Sequence, residues 1–293
     1  METFLAIMGP SLVAGPAIGA AAGALSCVLV LKGWALMGDA IAHAVLPGIV
    51  AAYVLGLPLA VGAFAAGLGC GVLTGWVADN ARVKRDTVMG VVFSAMFALG
   101  VVWQGAVESD VHLDHILFGD LLGLGWGGVW QTVTIAALAL ALLVAKRRDL
   151  LVFAFDPGHG RVAGLRIGWL HYGLLAGIAL VTVGALQAVG LILTIALLIV
   201  PGATAHLLTD RFDAMLALGA GCGALASVLG AGLSFVADAG AGASVVVVLM
   251  AQFVAALVLA PKHGLLASRS RAAHRAAREA ALDEHPSPLD LGR

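Results

Sequence analysis

The feature of this 293-residue chain that most limits its fold is a succession of long apolar segments separated by short polar ones. Each has about 18 to 25 residues, the length with which an α-helix crosses a bilayer. Only 11% of the residues are charged, against about 25% in soluble domains. We therefore predict an all-α integral membrane protein, a polytopic bundle of eight or nine transmembrane helices. The segments lie at 11–31, 38–56, 58–78, 87–104, 121–145, 167–186, 188–206, 214–234 and 243–260.

Basic residues and tryptophans predict the orientation of these segments. Loops rich in Lys and Arg face the cytoplasm, so the loops at 104–120 and 235–242, which lack both, are predicted to face outward. The cytoplasmic markers are Arg82, Lys84, Arg85, Lys146, Arg147, Arg148, Arg161, Arg166, Arg211 and Lys262. Nine spans place the N-terminus outside and eight place it inside, and the sequence leaves both open. The predicted interfacial anchors are Trp34, Trp76 and Trp169 at inner boundaries and Trp103 and Trp126 at outer ones.

Two ionisable residues stand inside the second apolar segment, in GDAIAHAVLPG. Asp39 and His43 are four residues apart, so a helix places both side chains on one face. An acid at the centre of a bilayer costs ~2.5 kcal/mol or more, and such residues are by default functional. A carboxylate and an imidazole suit a divalent metal ion, and Pro47 with Gly48 can free backbone carbonyls nearby. The alternative is a hydrogen-bonded pair that fixes helix packing.

A second group of potential ligands lies in the predicted outer loop ESDVHLDHILFGD. Such a group attracts cations because its acids and imidazoles have no compensating base. Its members are Glu108, Asp110, His112, Asp114, His115 and Asp120. Asp114 and His115 are favoured as metal ligands because they adjoin the returning apolar segment. The alternative is a solvated loop in which acids are simply tolerated.

The segment TDRFD follows the apolar run at 188–206 and is predicted to be cytoplasmic. It resembles a short helix capped by Thr209 or Asp210. With Arg211 beside it, an exposed Phe212 would suit docking to a partner protein. The alternative is an ordinary loop between two spans.

Several function classes are disfavoured by what the sequence lacks. It has no GxxxxGK[ST] loop for ATP, no HExxH and no GxSxG, so we predict a non-enzymatic chain without a permanently bound cofactor. Cys27, Cys70 and Cys222 are solitary and predicted to be small buried side chains rather than metal ligands. The net charge of -1 argues against a nucleic-acid partner. Membrane lipid is the expected surrounding.

Four stretches together resemble a known family. They are LKGWALMGDAIAHAVLPG, LDHILFGDLLG, LILTIALLIVPGATAHLLTDRFDAML and LAPKHGLL, and they span residues 31–266. In this order they are similar to the membrane permeases of bacterial metal-uptake ABC transporters of the ABC-3 type, which import manganese, zinc or iron. The resemblance implies the helical fold of type II importers in the bacterial cytoplasmic (inner) membrane. The first thirty residues and the tail contribute little to it, and we predict a permease domain at 1–266 and a charged cytoplasmic tail at 267–293.

The resemblance also implies partners and roles. Two permease subunits, either two copies or a copy and a paralogue, would form the pathway, with two cytoplasmic ATPases and an extracytoplasmic metal-binding protein. Asp39 and His43 match the family's metal-contact positions, and Thr209, Asp210, Arg211 and Phe212 match the segment that couples to the ATPase. The LDHILFG form, which contains Asp114 and His115, favours manganese or iron over zinc, and we favour manganese.

Other classes of transporter and enzyme remain as alternatives. A proton-coupled secondary metal transporter could use the same acid and imidazole as a proton relay. An intramembrane metalloenzyme would need a nucleophile or acid–base motif that the sequence does not supply. A siderophore or cobalamin permease would leave Asp39 and His43 without an obvious role.

Overall fold

The computed structural model describes residues 2–107, 125–260 and 264, with side chains from Gly9 onward. These residues form ten α-helices and no strand, which confirms the all-α prediction. The predicted tail at 267–293 lies outside the described residues. The helices are α1 (Glu2–Lys32), α2 (Met37–Val54), α3 (Leu59–Asn80), α4 (Arg85–Ala106), α5 (Trp126–Ala145), α6 (Arg147–Phe155), α7 (Pro157–Val162), α8 (Ile167–Leu208), α9 (Phe212–Ala237) and α10 (Ala241–Leu259).

Eight helices of the described part are long and apolar enough to cross a membrane. One of them, α8, has 42 residues and is broken at Gly190, whose φ of 78° and ψ of 176° are not helical. A straight helix of that length would measure about 63 Å, about twice the thickness of the hydrocarbon core. Glycine suits the break because residues with a Cβ rarely adopt a positive φ.

Contacts on either side of the break show that the chain reverses there. A Cβ added to Gly38 would lie 2.8 Å from Leu198, and one added to Gly67 would lie 2.9 Å from Ile41 and 3.7 Å from Ala179. Ala179 and Leu198 thus both lie beside the first turns of α2, although a straight helix would separate them by about 28 Å. The two halves of α8 therefore run antiparallel, so the eight helices of the described part contain nine apolar segments long enough to cross a membrane.

The contacts at the two ends of α1 agree with the predicted orientation of the spans. At its end, Lys32 Nζ donates a 2.8 Å hydrogen bond to the carbonyl oxygen of Phe153, in a helix that begins at a basic connection. At its start, Gly9 faces Trp126, the first residue of α5 after the predicted outer loop. Because basic connections are predicted to face the cytoplasm, these contacts favour the orientation in which α1 runs inward from outside. The side of the N-terminus remains a prediction from the sequence.

Three helices form the interior of the bundle. In the most apolar stretch of each helix, 72% of the residues are buried in α1 and 67% in both α2 and α8. The corresponding share is 22% in α4, α5 and α10. The first group therefore packs against protein and the second forms the apolar periphery. The buried core includes Ile18, Leu29, Ile41, Leu175 and Leu197. The metal-site candidates lie on α2, and hence on one of the most enclosed helices.

Pairs of glycines bring helix backbones into direct contact. A Cβ on Gly223 of α9 would overlap the carbonyl oxygen of Gly19 in α1, and Gly62 of α3 meets Gly48 of α2 in the same way. Small residues permit such approaches in membranes, where lipid tails are as apolar as side chains and close packing drives association. Gly48, predicted to free a carbonyl near the metal site, thus contributes a packing surface.

Candidate metal site

The α2 helix begins immediately after a tight connection from α1. The Met37 amide donates a 2.9 Å hydrogen bond to the carbonyl oxygen of Trp34, and this bond closes the turn that precedes the helix. Asp39 follows in the first turn, where a negative charge is favoured by the helix dipole. His43 stands one turn further along the same face. The sequence prediction of a shared face is therefore confirmed.

The two side chains are in direct contact. His43 Nδ1 lies 3.0 Å from Asp39 Oδ1 and 3.0 Å from the Asp39 carbonyl oxygen. Both oxygens accept hydrogen bonds, so Nδ1 is assigned the ring proton and Nε2 the free lone pair. A carboxylate that holds one imidazole nitrogen while the other binds a metal ion is a recurrent arrangement. In this arrangement Asp39 orients His43. For both side chains to hold one ion, the bond between the Asp39 carboxylate and Nδ1 must be exchanged for contact with the ion.

The site is partly open and partly enclosed by aromatic rings. The side chains of His43 and Asp39 are 26% and 27% exposed. Phe93 and Phe97 of α4 each place their ring centroid 5.6 Å from that of His43, and the Phe97 ring is nearly perpendicular to it. These rings limit rotation of the imidazole and lower the polarity around it. Both phenylalanines were missed by the sequence analysis, because they belong to an apolar segment with no polar signal.

The pair alone does not complete a metal site. Within residues 2–107, 125–260 and 264, no group of three or more His, Cys, Asp or Glu side chains can hold an ion. Transition metals in proteins take four or more ligands. One of the missing donors is close by, because Pro47 has no amide hydrogen and so deprives the His43 carbonyl of its helical partner.

The other predicted ligands lie elsewhere or outside the described residues. Asp114 and His115 belong to the segment 108–124, which is not described, as do the remaining acids and the histidine of the outer loop. Cys27, Cys70 and Cys222 are free thiols, and the first two are fully buried. No described cysteine contributes to the Asp39–His43 pair.

The predicted cytoplasmic docking helix is wrong in its local structure. Residues 209–211 form a three-residue connection between α8 and α9, in which the Arg211 amide donates a 3.2 Å hydrogen bond to Thr209 Oγ1. Neither Thr209 nor Asp210 is the N-cap of the following helix, because the N-cap of α9 is Arg211, without a side-chain cap bond. Thr209 is instead the C-cap of α8. Phe212 begins α9 and packs against the core rather than projecting freely. Because α9 begins at Phe212, the ring lies beside the core and can be partly buried there.

Replacing Phe97 by alanine should weaken metal binding at the pair without preventing folding. The substitution removes the perpendicular ring that restrains His43, and such aromatic contacts contribute about 0.5–1.5 kcal/mol. We expect the dissociation constant for a divalent metal ion, measured on the purified protein, to rise by about two- to tenfold. The control is Leu99→Ala, at an exposed position of the same helix. An unchanged dissociation constant would show that the ring does not position His43.

The fold and the pair together define a class of protein. Eight helices long and apolar enough to cross a membrane, with an oriented, partly accessible carboxylate–imidazole pair inside one of them, describe a multi-pass membrane transport protein. Comparison with known proteins identifies the family: the model of the ABC 3 transport family matches residues 5–260, and the chain belongs to that family. It is a transport subunit, a multi-pass permease of the bacterial cytoplasmic membrane.

Individual relatives agree with this assignment. The chain is 49% identical over 251 residues to the "Chelated iron transport system membrane protein YfeD" of Yersinia pestis, covering 86% of this chain and 84% of the relative. It is 45% identical to the "Manganese transport system membrane protein MntB" of Synechocystis, covering 87% and 83%. A solved structure of PsaBC from Streptococcus pneumoniae in complex with Fab superimposes with a TM-score of 0.81 at 35% identity, covering 89% of this chain and 96% of that one.

Proposed function

We propose that this chain is the permease through which an ATP-driven importer moves a divalent transition-metal ion into the cytoplasm, with manganese favoured and iron or zinc as alternatives. The observation that supports it most directly is the Asp39–His43 pair, which offers an imidazole nitrogen and a carboxylate oxygen inside a membrane span. Mixed nitrogen and oxygen donors suit Mn(II), Fe(II) and Zn(II). The relatives named for manganese and chelated iron support the same cargo class.

The incomplete ligand set favours a two-subunit pathway. A second permease, either another copy or a paralogue, would bring a second partly exposed acid–imidazole pair to the same ion. Two pairs would supply two imidazole nitrogens, and also two carboxylates once each Asp39 exchanges its bond to His43 for contact with the ion. Water or the His43 carbonyl would complete the shell. Such a site binds an ion in transit, and each ligand must be deprotonated to do so.

The remaining partners follow from what the chain lacks and where its connections lie. Its 293 residues contain no P-loop, and cytoplasmic ATPase subunits would supply the ATP-driven movement. Thr209, Asp210, Arg211 and Phe212, on the side of the basic connections, would contact them. An extracytoplasmic metal-binding protein would deliver the ion at the outer loop, near Asp114 and His115. The transported ion is cargo, and no permanent cofactor is proposed.

Metal uptake by cells that depend on this permease tests the proposal. Accumulation of Mn(II), Fe(II) and Zn(II) should be measured separately, with the ATPase intact and with its catalytic glutamate replaced. We expect manganese accumulation that disappears in the ATPase variant. Accumulation that persists without ATP hydrolysis and collapses with a protonophore would instead establish the proton-coupled transporter. Accumulation of none of the three ions would overturn the cargo assignment.

A further inference from the structure

Trp34 behaves differently from the other described tryptophans at the inner boundary. Its side chain is 4% exposed, whereas Trp76 and Trp169 are 65% and 78% exposed. The exposed pair fits the predicted interfacial anchors. Trp34 does not, because it is enclosed by protein. Its burial in the connection between α1 and α2 requires another explanation.

Four helices converge on the Trp34 indole. Its ring meets Phe153 of α6 edge-on at 6.2 Å and His171 of α8 edge-on at 5.2 Å. Two cations approach the same ring, Lys32 Nζ of α1 at 6.0 Å and the Arg85 guanidinium of α4 at 5.5 Å. We refer to these five residues as the Trp34 cluster. Cation–π and edge-to-face contacts are directional, so they fix the indole in one orientation.

The backbone of Trp34 is bonded to the start of the metal-binding helix. Its amide donates a 2.8 Å hydrogen bond to Leu29 in α1, and its carbonyl oxygen accepts a 2.9 Å bond from Met37 in α2. Asp39 is two residues beyond Met37. The backbone of Trp34 is therefore bonded directly to the first turn of α2, which contains Asp39.

The α6 helix joins the Trp34 cluster to the ATPase side of the molecule. Its last turn contributes Phe153, which is 3% exposed and whose carbonyl oxygen accepts the bond from Lys32. Its first residue, Arg147, places Nε 3.1 Å from Asp213 Oδ1, next to the connection that begins at Thr209. These two side chains are 39% and 76% exposed, so the pair adds little to stability and is easily broken and remade.

We propose that α6 and the Trp34 cluster link the segment Thr209–Phe212 to the Asp39–His43 pair, with Trp34 as the positioning residue. Movement imposed on the start of α9 passes through Arg147 to α6, and through Phe153 and Trp34 to the first turn of α2. The inference rests on the proposed function, because it assumes that ATPases act at Thr209–Phe212 and that metal binds at Asp39 and His43.

The test uses the permease–ATPase complex in lipid vesicles, supplied with manganese-loaded binding protein. ATP hydrolysis is measured without and with that protein, together with manganese transported per ATP. We expect Trp34→Leu to lower both the stimulated hydrolysis and the manganese per ATP by about fivefold or more, with basal hydrolysis unchanged. Trp76→Leu, an exposed inner-boundary control, should behave as wild type. Phe153→Leu should add little to Trp34→Leu in the double variant, because both interrupt the same link.

Charge reversal at the exposed end of α6 provides a second test of the proposed link. It applies even if the Trp34→Leu variant does not assemble. Arg147→Asp and Asp213→Arg should each reduce stimulation, and the double variant should restore it. Arg148→Asp, one residue away at an exposed position, is the control. The link would be overturned if the variant with both Arg147→Asp and Asp213→Arg did not recover stimulated ATP hydrolysis. It would also be overturned if the variants lost basal and stimulated hydrolysis equally. In the same vesicles, transport by Asp39→Ala would contradict the proposed metal site instead, so the two failures are distinguishable.

Discussion

Manganese uptake should fall by about a hundredfold or more when either Asp39 or His43 is replaced by alanine, since even residues that only orient metal ligands account for 10- to 100-fold effects. The His43 variant loses the free Nε2 donor. The Asp39 variant loses both Oδ2 and the partner of Nδ1, so the imidazole is no longer held in one tautomer. The amount of permease in the membrane should be unchanged, because both side chains are partly exposed. Uptake of radioactive manganese, corrected for permease content, measures the effect.

Matched controls are available on the same chain. Asp86 lies in the first turn of α4 and is exposed, and His206 is exposed in the last turn of α8. Asp86→Ala and His206→Ala should retain uptake. Asp39→Asn keeps an oxygen acceptor for His43 Nδ1 but removes the negative charge, so its uptake should fall by less than that of Asp39→Ala. Wild-type uptake in both alanine variants at positions 39 and 43 would rule out the metal assignment.

The second large effect is expected at the crossing of α1 and α9. Gly223→Leu would place a side chain where the Gly19 carbonyl oxygen now lies, and backbone atoms cannot move aside as a flexible side chain does. Overpacking of a dense interior typically costs about 1–3 kcal/mol, and a leucine between two backbones belongs at or above the upper end. We expect little monodisperse protein after detergent extraction, as measured by size-exclusion chromatography.

The control for this crossing is two residues away. Gly221 lies on the exposed side of α9, and no described atom is within 4 Å of a Cβ added there. Gly221→Leu should therefore be extracted and elute as wild type. Equal behaviour of the two leucine variants would show that α1 and α9 do not pack through these glycines.

The number and class of helices were largely predictable from the sequence, because a membrane span needs a long apolar window and the chain has little else. The Asp39–His43 contact was predictable for the same reason, since helical spacing alone places the two residues together. The choice between eight and nine spans was not. The two halves of α8 are separated by no charged residue, and only contacts such as Gly38 with Leu198 reveal the reversal.

The surroundings of the candidate site could not be predicted, because they are set by contacts between residues far apart in the sequence. Trp34 was expected at the lipid interface, and Phe212 was expected to be exposed. An aromatic residue near the end of a span is compatible with the membrane interface and also with the protein interior, so its sequence position does not distinguish them. Burial was decided by neighbours distant in sequence, such as His171 for Trp34. The rings beside His43 come from α4, whose apolar sequence contains no signal of that role.

The dependence of α1 on distant helices has a consequence for the synthesis of the protein. Its most intimate contacts include the Cys27 thiol, which donates to the Met215 carbonyl oxygen, 188 residues further along the chain. At 5–20 residues per second a ribosome needs about 10 to 40 s to make that stretch. The innermost helix thus gains its neighbours in stages, with α5 and α6 available to it well before α9. During that interval the face of α1 that later packs against α9 must remain in lipid or against other helices, so the central part of the bundle is completed only after α9 has been made.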